Sequence, residues 1–280
     1  MTSLSRHTVA ITGGARGIGR STAQAFLAAG ARVAIGDIDA DLVAATAEEL
    51  GCAGFALDVA DVDSFTAFLD DAEEALGPLT VLVNNAGIMP TGSFLDEPLH
   101  VAERQLGINV TGVVIGSKLA GNRFATRGAG HLVNIASVAG VIASPGLATY
   151  CASKHAVAGL GEALRQELPA RGVAVTTILP GFVRTELIAG LSPGRIVERI
   201  GVVEPEQIAD AILDAVATGH VGARFVPRAG AATARLMNVL PVRMRDGLSR
   251  RLGGHDVMLR TDETARAAYR ARTEREPSVR

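Results

Sequence analysis

The chain has 280 residues, a formal charge of −2, 48% hydrophobic but only 4% aromatic residues, and a mean hydropathy of +0.28. That length fits one large α/β domain with a core of Ala, Val, Leu, Ile and Gly, and the near-neutral balance excludes nucleic acid as the main partner, because phosphate neutralisation needs a clustered basic excess. Cys52 and Cys151 stand far apart without metal-ligand spacing and the start of the chain lacks a signal-peptide core, so no disulfide framework, no metal site and a cytoplasmic location are expected.

Short β-branched runs alternate with longer Ala- and Leu-rich segments of helical period, the pattern of repeated βα units. Strands are expected at 7–11, 32–36, 53–57, 81–84, 131–135 and 173–178, with a seventh at 223–226 closed by Pro227. Helices are expected at 19–29, 39–50, 62–76, 101–126 and 150–170. The stretch 128–153 has few ionisable groups, but Asn134, Ser137, Ser144, Pro145 and several glycines interrupt it, so it reads as strand plus loop rather than a membrane helix. The expected fold class is α/β: a doubly wound parallel sheet of about seven strands flanked by helices over residues 1–227, then a basic helical extension over 228–280.

The first strand empties into Thr12-Gly13-Gly14-Ala15-Arg16-Gly17-Ile18-Gly19, and a helix starts at once. Glycines at 13, 17 and 19 permit a tight turn and let a pyrophosphate approach the helix N-terminus, where free N–H groups and the dipole favour an anion. Alone, such a turn is weak evidence, and a tight strand-to-helix connection with no ligand is the alternative. Asp37 at the end of the second strand adds weight, since a carboxylate there can accept from adenosine ribose hydroxyls and would repel a 2′-phosphate. Arg16 pulls the other way, because a guanidinium can pair with that phosphate. No basic residue follows at Ile38, which favours NAD over NADP. Asp58 reads equally as a partner for the adenine amino group or as a turn cap. At the end of the fourth strand, Asn84 and Asn85 can tie neighbouring strands together while Ala86 and Gly87 leave room for ribose; a plain turn is the alternative.

Tyr150 and Lys154 are four apart at a helix start and so share one face. A free phenol, with a pKa near ~10, is a poor base at neutral pH, but a nearby ammonium stabilises phenolate. Ser137 follows an apolar strand and points its hydroxyl into the crevice where open α/β sheets bind ligands. His155 lies one step along the helix from Lys154 and faces away, and Cys151 lacks a base partner. In order along residues 7–227, Thr12 to Gly19, Asp58, Asn84 to Gly87, Asn109, Ser137, Tyr150 with Lys154, and Pro180-Gly181 followed by Thr185 resemble the motifs of the classical short-chain dehydrogenase/reductase family.

The resemblance implies a Rossmann-type fold and a nicotinamide cofactor, NAD rather than NADP. Its contacts would run over Gly13, Arg16, Gly17, Ile18, Gly19, Asp37, Ile38, Asp58, Val59, Asn85, Ala86, Gly87, Tyr150, Lys154, Pro180, Gly181, Val183 and Thr185. It implies catalysis by Asn109, Ser137, Tyr150 and Lys154, with Tyr150 as proton carrier and Asn109 kinking its helix to hold a water beside Lys154. It also implies a homodimer or homotetramer built through the helices at 101–126 and 150–168. The substrate would be a small secondary alcohol or ketone, and the apolar Leu187, Ile188, Leu191, Ile196 and Val197 of the covering segment 186–204, with Arg195 as its cation, point to a hydrophobic one. A non-catalytic dinucleotide sensor or scaffold on the same fold is the competing reading; it needs the cofactor pocket but not the proton relay.

From Arg228 onward the chain carries twelve arginines and six acidic residues, a net of +6, which leaves −8 on residues 1–227. Leu236, Met237, Val239, Leu240, Val242, Met244, Leu248 and Leu252 interleave with Arg235, Arg243, Arg245, Arg250 and Arg251, with breaks at Pro241 and Gly247. Helices docked on the body near the substrate entrance, or on a neighbouring subunit, are favoured over attachment to an anionic membrane surface.

Overall fold

The computed structural model describes residues 4–188, 190–191, 202–251, 257–259 and 261–273. Its centre is a parallel sheet of seven strands in the order β3-β2-β1-β4-β5-β6-β9. The strands are β1 (Thr8–Thr12), β2 (Arg32–Asp37), β3 (Ala53–Ala56), β4 (Val81–Asn84), β5 (Gly130–Ile135), β6 (Val173–Pro180) and β9 (Gly222–Val226). All seven expected strands are present, shifted by no more than a residue or two. Every residue of β1 is buried, as a central parallel strand covered on both faces must be.

The period of two divides the core. Val9, Ile11, Val33 and Ile35 point to the layer formed by α1 (Gly17–Ala28), α2 (Ala40–Leu50) and α7 (Pro205–Thr218), where they meet Phe26, Val43, Ile208 and Ile212. Ala10, Ala34, Leu82 and Leu132 face α3 (Val62–Leu76) and α5 (Gly112–Arg127), and pack on Phe65, Phe68, Leu69 and Phe124. The long α6 (Ala148–Glu167) covers β6 and β9 on that same side. Side-chain and glycine caps set the helix ends: Asp39 accepts from the Leu42 amide at 3.2 Å to start α2, Asp61 from the Ser64 amide at 2.7 Å to start α3, and Gly51 closes α2 with φ +68°.

Three features differ from expectation. The single helix anticipated at 101–126 is α4 (Leu99–Leu106) joined to α5 through a π-turn at Gly107–Thr111, so that Asn109 sits inside a local widening of the helix. Helix α7 was not anticipated, although Pro205 at its first turn, the reciprocal Glu204–Gln207 capping box and Gly219 at its end are all sequence signals. A two-stranded parallel pair, β7 (Phe182–Val183) with β8 (Val202–Val203), brackets the covering segment. Ile196, Val197 and Arg195 of that segment lie outside the described residues.

The extension is helical as expected, with α8 (Ala229–Val239), α9 (Val242–Arg251) and α10 (Glu263–Thr273). Ala234 is buried, yet Leu236, Val239, Val242 and Met244 point outward, so docking on the body covers only part of the anticipated apolar stripe. Leu252 and the side chains of Leu248, Arg250 and Arg251 lie outside the described residues. Among the described residues no helix is long and apolar enough to cross a membrane.

Candidate active site

The chain builds one wing of the sheet through β1, β2 and β3, then crosses to β4 and builds the other. The C-terminal ends of β1 and β4 therefore diverge into a crevice, the usual ligand position of an open α/β sheet. There the glycine turn enters α1 through Arg16, which has extended backbone and makes no side-chain cap, and the first turn of α1 holds no acidic residue. Its amides and dipole remain directed at an anion. Gly13 and Gly17 have φ of +63° and +48°; a Cβ on Gly13 would stand 2.9 Å from Ala86 Cα, and one on Gly19 would stand 2.1 Å from the Gly13 carbonyl oxygen. Only glycine at positions 13 and 19 fits this close packing.

Two asparagines hold the cradle to the sheet. Asn85 Nδ2 donates to the carbonyls of Thr12 and Gly13 at 2.9 and 3.0 Å, and Thr12 Oγ1 accepts from the amides of Asn85 and Ala86. Asn84 Nδ2 donates to Asn134 Oδ1 at 2.8 Å, joining β4 to β5. Asp37 closes β2 and accepts from the amides of Ala15 and Asp39, both at 3.3 Å. Arg16 pairs with Asp39 at 2.5 Å and approaches Glu186 at 3.8 Å, so carboxylates of the chain itself already neutralise it. Asp58 Oδ1 accepts from Ala60 N at 2.9 Å, which is the turn-cap geometry, while the exposed residue also borders the crevice.

Further along the same crevice, Ser137 follows β5 and its Oγ accepts from the Ala139 amide at 3.1 Å, on the side of the crevice that Tyr150 shares. Tyr150 and Lys154 are buried on one face of the first turns of α6, with the ammonium 5.7 Å from the ring centroid. Lys154 Nζ donates to the Ile135 carbonyl at 2.9 Å, and burial holds its pKa down at about 8. Burial pushes the Tyr150 phenol the other way, above its ordinary value; the Ser137 hydroxyl opposes this and the nearby Tyr269 and Cys151 add to it. The sequence expectation that Lys154 would ease ionisation of Tyr150 thus meets an opposing desolvation that is the larger effect.

Asn109 is fully buried; its Oδ1 accepts from Ile88 N and its Nδ2 donates to Ile88 O, both at 2.9 Å, and to Ser153 Oγ at 3.1 Å. Pro180 ends β6, Gly181 N donates to Val226 O at 2.8 Å, and Thr185 packs its methyl group over Gly17. A single cavity of about 1270 Å³ runs past Gly13, Arg16, Gly17, Ile18, Asp37, Ile38, Asp58, Val59, Asn85, Ala86, Gly87, Ser137, Tyr150, Lys154, Pro180, Gly181, Val183 and Thr185. Of the expected site residues, Gly19 and Asn109 stand one layer behind its wall. His155 is exposed and bonded to the Cys151 carbonyl, and Cys151 is packed, so neither joins the site, as expected.

A model of the short chain dehydrogenase family matches residues 7–195. The chain belongs to that family. A probable oxidoreductase EphD of Mycobacterium tuberculosis is 39% identical over 230 residues, covering 74% of this chain but only 39% of that protein, so the chain spans about two fifths of that relative. The 2,5-dichloro-2,5-cyclohexadiene-1,4-diol dehydrogenase LinX of Sphingobium indicum is 34% identical, over 72% of this chain and 83% of its own. Among solved structures, a short chain dehydrogenase/reductase from Burkholderia phymatum in complex with NAD superposes with a TM-score of 0.76 at 28% identity, covering 85% of this chain and 95% of that one. A 3-ketoacyl-(acyl-carrier-protein) reductase from Brucella melitensis complexed with NADH gives 0.75 at 28% identity, over 80% and 98%.

In this member of the short chain dehydrogenase family the far end of the cavity is lined by an apolar cluster. Met89, Leu147, Tyr150, Cys151 and Met258 form a buried cluster against which Phe182, Leu187, Ile188, Leu191 and Val257 pack. Leu187, Ile188 and Leu191 were expected there. Met89, Met258 and Tyr269 were not, because they reach Tyr150 only through tertiary folding. The available signal was weak: Tyr269 is one of two tyrosines in the chain, set in an otherwise Ala- and Arg-rich helix.

Proposed function

We propose that this short-chain dehydrogenase transfers a hydride between NAD(H) and a hydrophobic secondary alcohol or ketone, with Tyr150 as proton donor and acceptor. The carrying observation is that Ser137, Tyr150 and Lys154 open onto the same cavity as the glycine cradle and Asp37. The uncapped start of α1, with glycines whose Cβ atoms would close it, fits a pyrophosphate; Asp37 would take the adenosine ribose, and Lys154 with Tyr150 the nicotinamide ribose. Val183 and Thr185 would face the carboxamide. NAD is preferred over NADP because Asp37 borders the ribose position while Arg16 is engaged by Asp39. When bound, the cofactor supplies the hydride or accepts it.

The residues do the rest. Ser137 holds the substrate oxygen by a hydrogen bond, and Tyr150 takes the proton from the alcohol oxygen or returns one to the carbonyl oxygen. Lys154 sets a positive charge beside the phenol, which favours the ionised form against the larger effect of burial that resists it. Asn109 acts from behind: its amide pins the Ile88 backbone and the widened helix, and so fixes the ground on which a water can link Lys154 to solvent. The apolar cluster around Met89 and Leu147 excludes water and strengthens every charge effect at the reacting oxygen.

Purified protein mixed with NADH and a series of hydrophobic ketones, followed by loss of the reduced-cofactor absorbance, tests this reading. Steady turnover that is faster with NADH than with NADPH is expected. Tight NADH binding without turnover on any carbonyl would replace it with a dinucleotide sensor. A homodimer or homotetramer is part of the same proposal, supported by the exposed apolar side chains of Leu95, Leu99, Leu106 and Val114 on and beside α4 and α5.

A further inference from the structure

Helix α10 comes from the far end of the chain and lies across two loops that border the cavity. Its Arg266 is one of the most deeply buried side chains in the protein, at 1% exposure. One guanidinium nitrogen donates to the Leu187 carbonyl at 3.0 Å and the other to the Met89 carbonyl at 2.9 Å, so a single planar group joins the covering segment to the loop after β4. Gly190 packs so tightly on the helix start that a Cβ there would stand 2.8 Å from the Asp262 carbonyl oxygen, and Asp262 N donates to the Gly190 carbonyl at 3.0 Å.

One turn further on, Tyr269 is buried at the cavity wall. Its hydroxyl accepts from the Met89 amide at 2.7 Å, and the guanidinium groups of Arg266 and Arg272 lie over its ring at 5.0 and 5.6 Å. Arg272 is itself tied to Glu186 at 2.6 Å. Backbone amide, two cations and a salt bridge thus fix a rigid phenol ring close to Tyr150, in a wall whose other members are the thioethers of Met89 and Met258 and the side chain of Leu187.

We propose that α10 is the specificity-determining wall of the substrate pocket, with Tyr269 setting how bulky an apolar group can lie beside the reacting carbonyl and Arg266 acting as the positioning residue that holds the two flanking loops to receive it. The proposal rests on the oxidoreductase reading for its catalytic consequences, but the pocket it describes discriminates ligands by shape whether or not they react. A hydrophobic pocket separates ligands differing by one methylene by roughly 10- to 200-fold, and removing a phenol ring frees far more space than that.

The test uses full-length wild-type, Tyr269→Ala, Tyr269→Phe and Arg266→Met proteins with cyclohexanone, decalone and a steroid ketone. Kd is measured by calorimetry in the presence of NAD and kcat/KM with NADH. For Tyr269→Ala the ratio of Kd for the steroid ketone to that for cyclohexanone should fall at least about tenfold, with NADH affinity unchanged. Tyr269→Phe keeps the ring and should keep the wild-type rank order. Arg266→Met should raise KM for all three ketones more than it lowers kcat, because the loops lose their shared anchor while Tyr150 and Lys154 keep theirs. A lowered Tm with size ratios and the KM-to-kcat split unchanged would reduce α10 to a structural prop and overturn the proposal. Should no variant turn over any ketone, the oxidoreductase reading fails, yet the calorimetric ratios still decide the wall. Should Tyr269→Ala fail to fold, an unchanged rank order in Tyr269→Leu would overturn it and a shifted one would support it.

Discussion

Tyr150 and Lys154 are buried side by side, and burial drives their proton affinities in opposite directions, the phenol up and the ammonium down to about 8. At neutral pH the pair therefore consists of a neutral phenol and a lysine that is still mostly charged. Tyr150→Phe keeps the ring but loses the exchangeable proton, so turnover should fall by about 10²- to 10⁴-fold while NADH affinity stays within a few-fold; ordinary activity in this variant would refute the mechanism. The lysine makes a second, thermodynamic prediction. Its folded pKa lies below its ordinary 10.5, so between about 8 and 10.5 the unfolded chain binds more protons and stability rises with pH on its account. Below about 8 both states are protonated and the burial cost is constant. Lys154→Met should thus gain Tm relative to wild type at pH 7, and that advantage should shrink as pH rises through this window. A difference in Tm that does not change with pH would show that the ammonium is not held down by its surroundings. These two residues were legible in the sequence because a helix brings i and i+4 together whatever the rest of the fold does. Tyr269 and Arg266 were not, because nothing local connects them to Met89 or Leu187.

At the scale of elements, the strand-turn-helix unit from Thr8 to Ala28 combines two constraints that can be separated by mutation. Its geometry depends on Gly19, whose Cβ would collide with the Gly13 carbonyl and with Asn85. Gly19→Ala must therefore push the turn outward, and NADH affinity should fall by at least about tenfold, because hydrogen bonds from backbone N–H groups to phosphate oxygens tolerate only a few tenths of an ångström of displacement. Retained affinity would mean that the turn does not hold the pyrophosphate. Its selectivity is expected at the end of the neighbouring strand. Asp37→Ala removes the carboxylate that would repel a 2′-phosphate, and the NADH-over-NADPH preference in Kd should narrow or reverse. A wild-type protein that binds NADPH more tightly than NADH would contradict the assignment before any variant is made. Elements with strong capping and period, such as α3 between Asp61 and Gly77, could be read from sequence to the residue. The π-turn between α4 and α5 leaves no compositional trace, and only the family resemblance implied a distortion at Asn109; α7 has clear end signals in Pro205 and the Glu204–Gln207 box. The two-residue strands β7 and β8 are too short for any pattern to show.

For the molecule as a whole, the extension serves two surfaces at once. Its inner side is part of the pocket: Ala229, Gly230 and Thr233 of α8 border the cavity, as does Met258. Its outer side leaves Leu236, Val239, Val242 and Met244 exposed, each by more than half, beside Arg235 and Arg243. The charge imbalance read from the sequence, +6 beyond residue 227 against −8 before it, favours a neighbouring copy as the cover for this side, because the body of a second chain carries the complementary sign. Changing Leu236, Val239, Val242 and Met244 together to Gln should then reduce the oligomeric size measured by light scattering, while NADH affinity stays within a few-fold because the glycine cradle lies elsewhere. The same arginines would attract anionic lipid, and sedimentation with phosphatidylserine vesicles separates the two cases. Wild-type protein should remain in the supernatant at physiological salt. If instead it pellets with the vesicles, the quadruple variant does not, and both have the same size in solution, the outer side is a membrane contact and the subunit reading is lost.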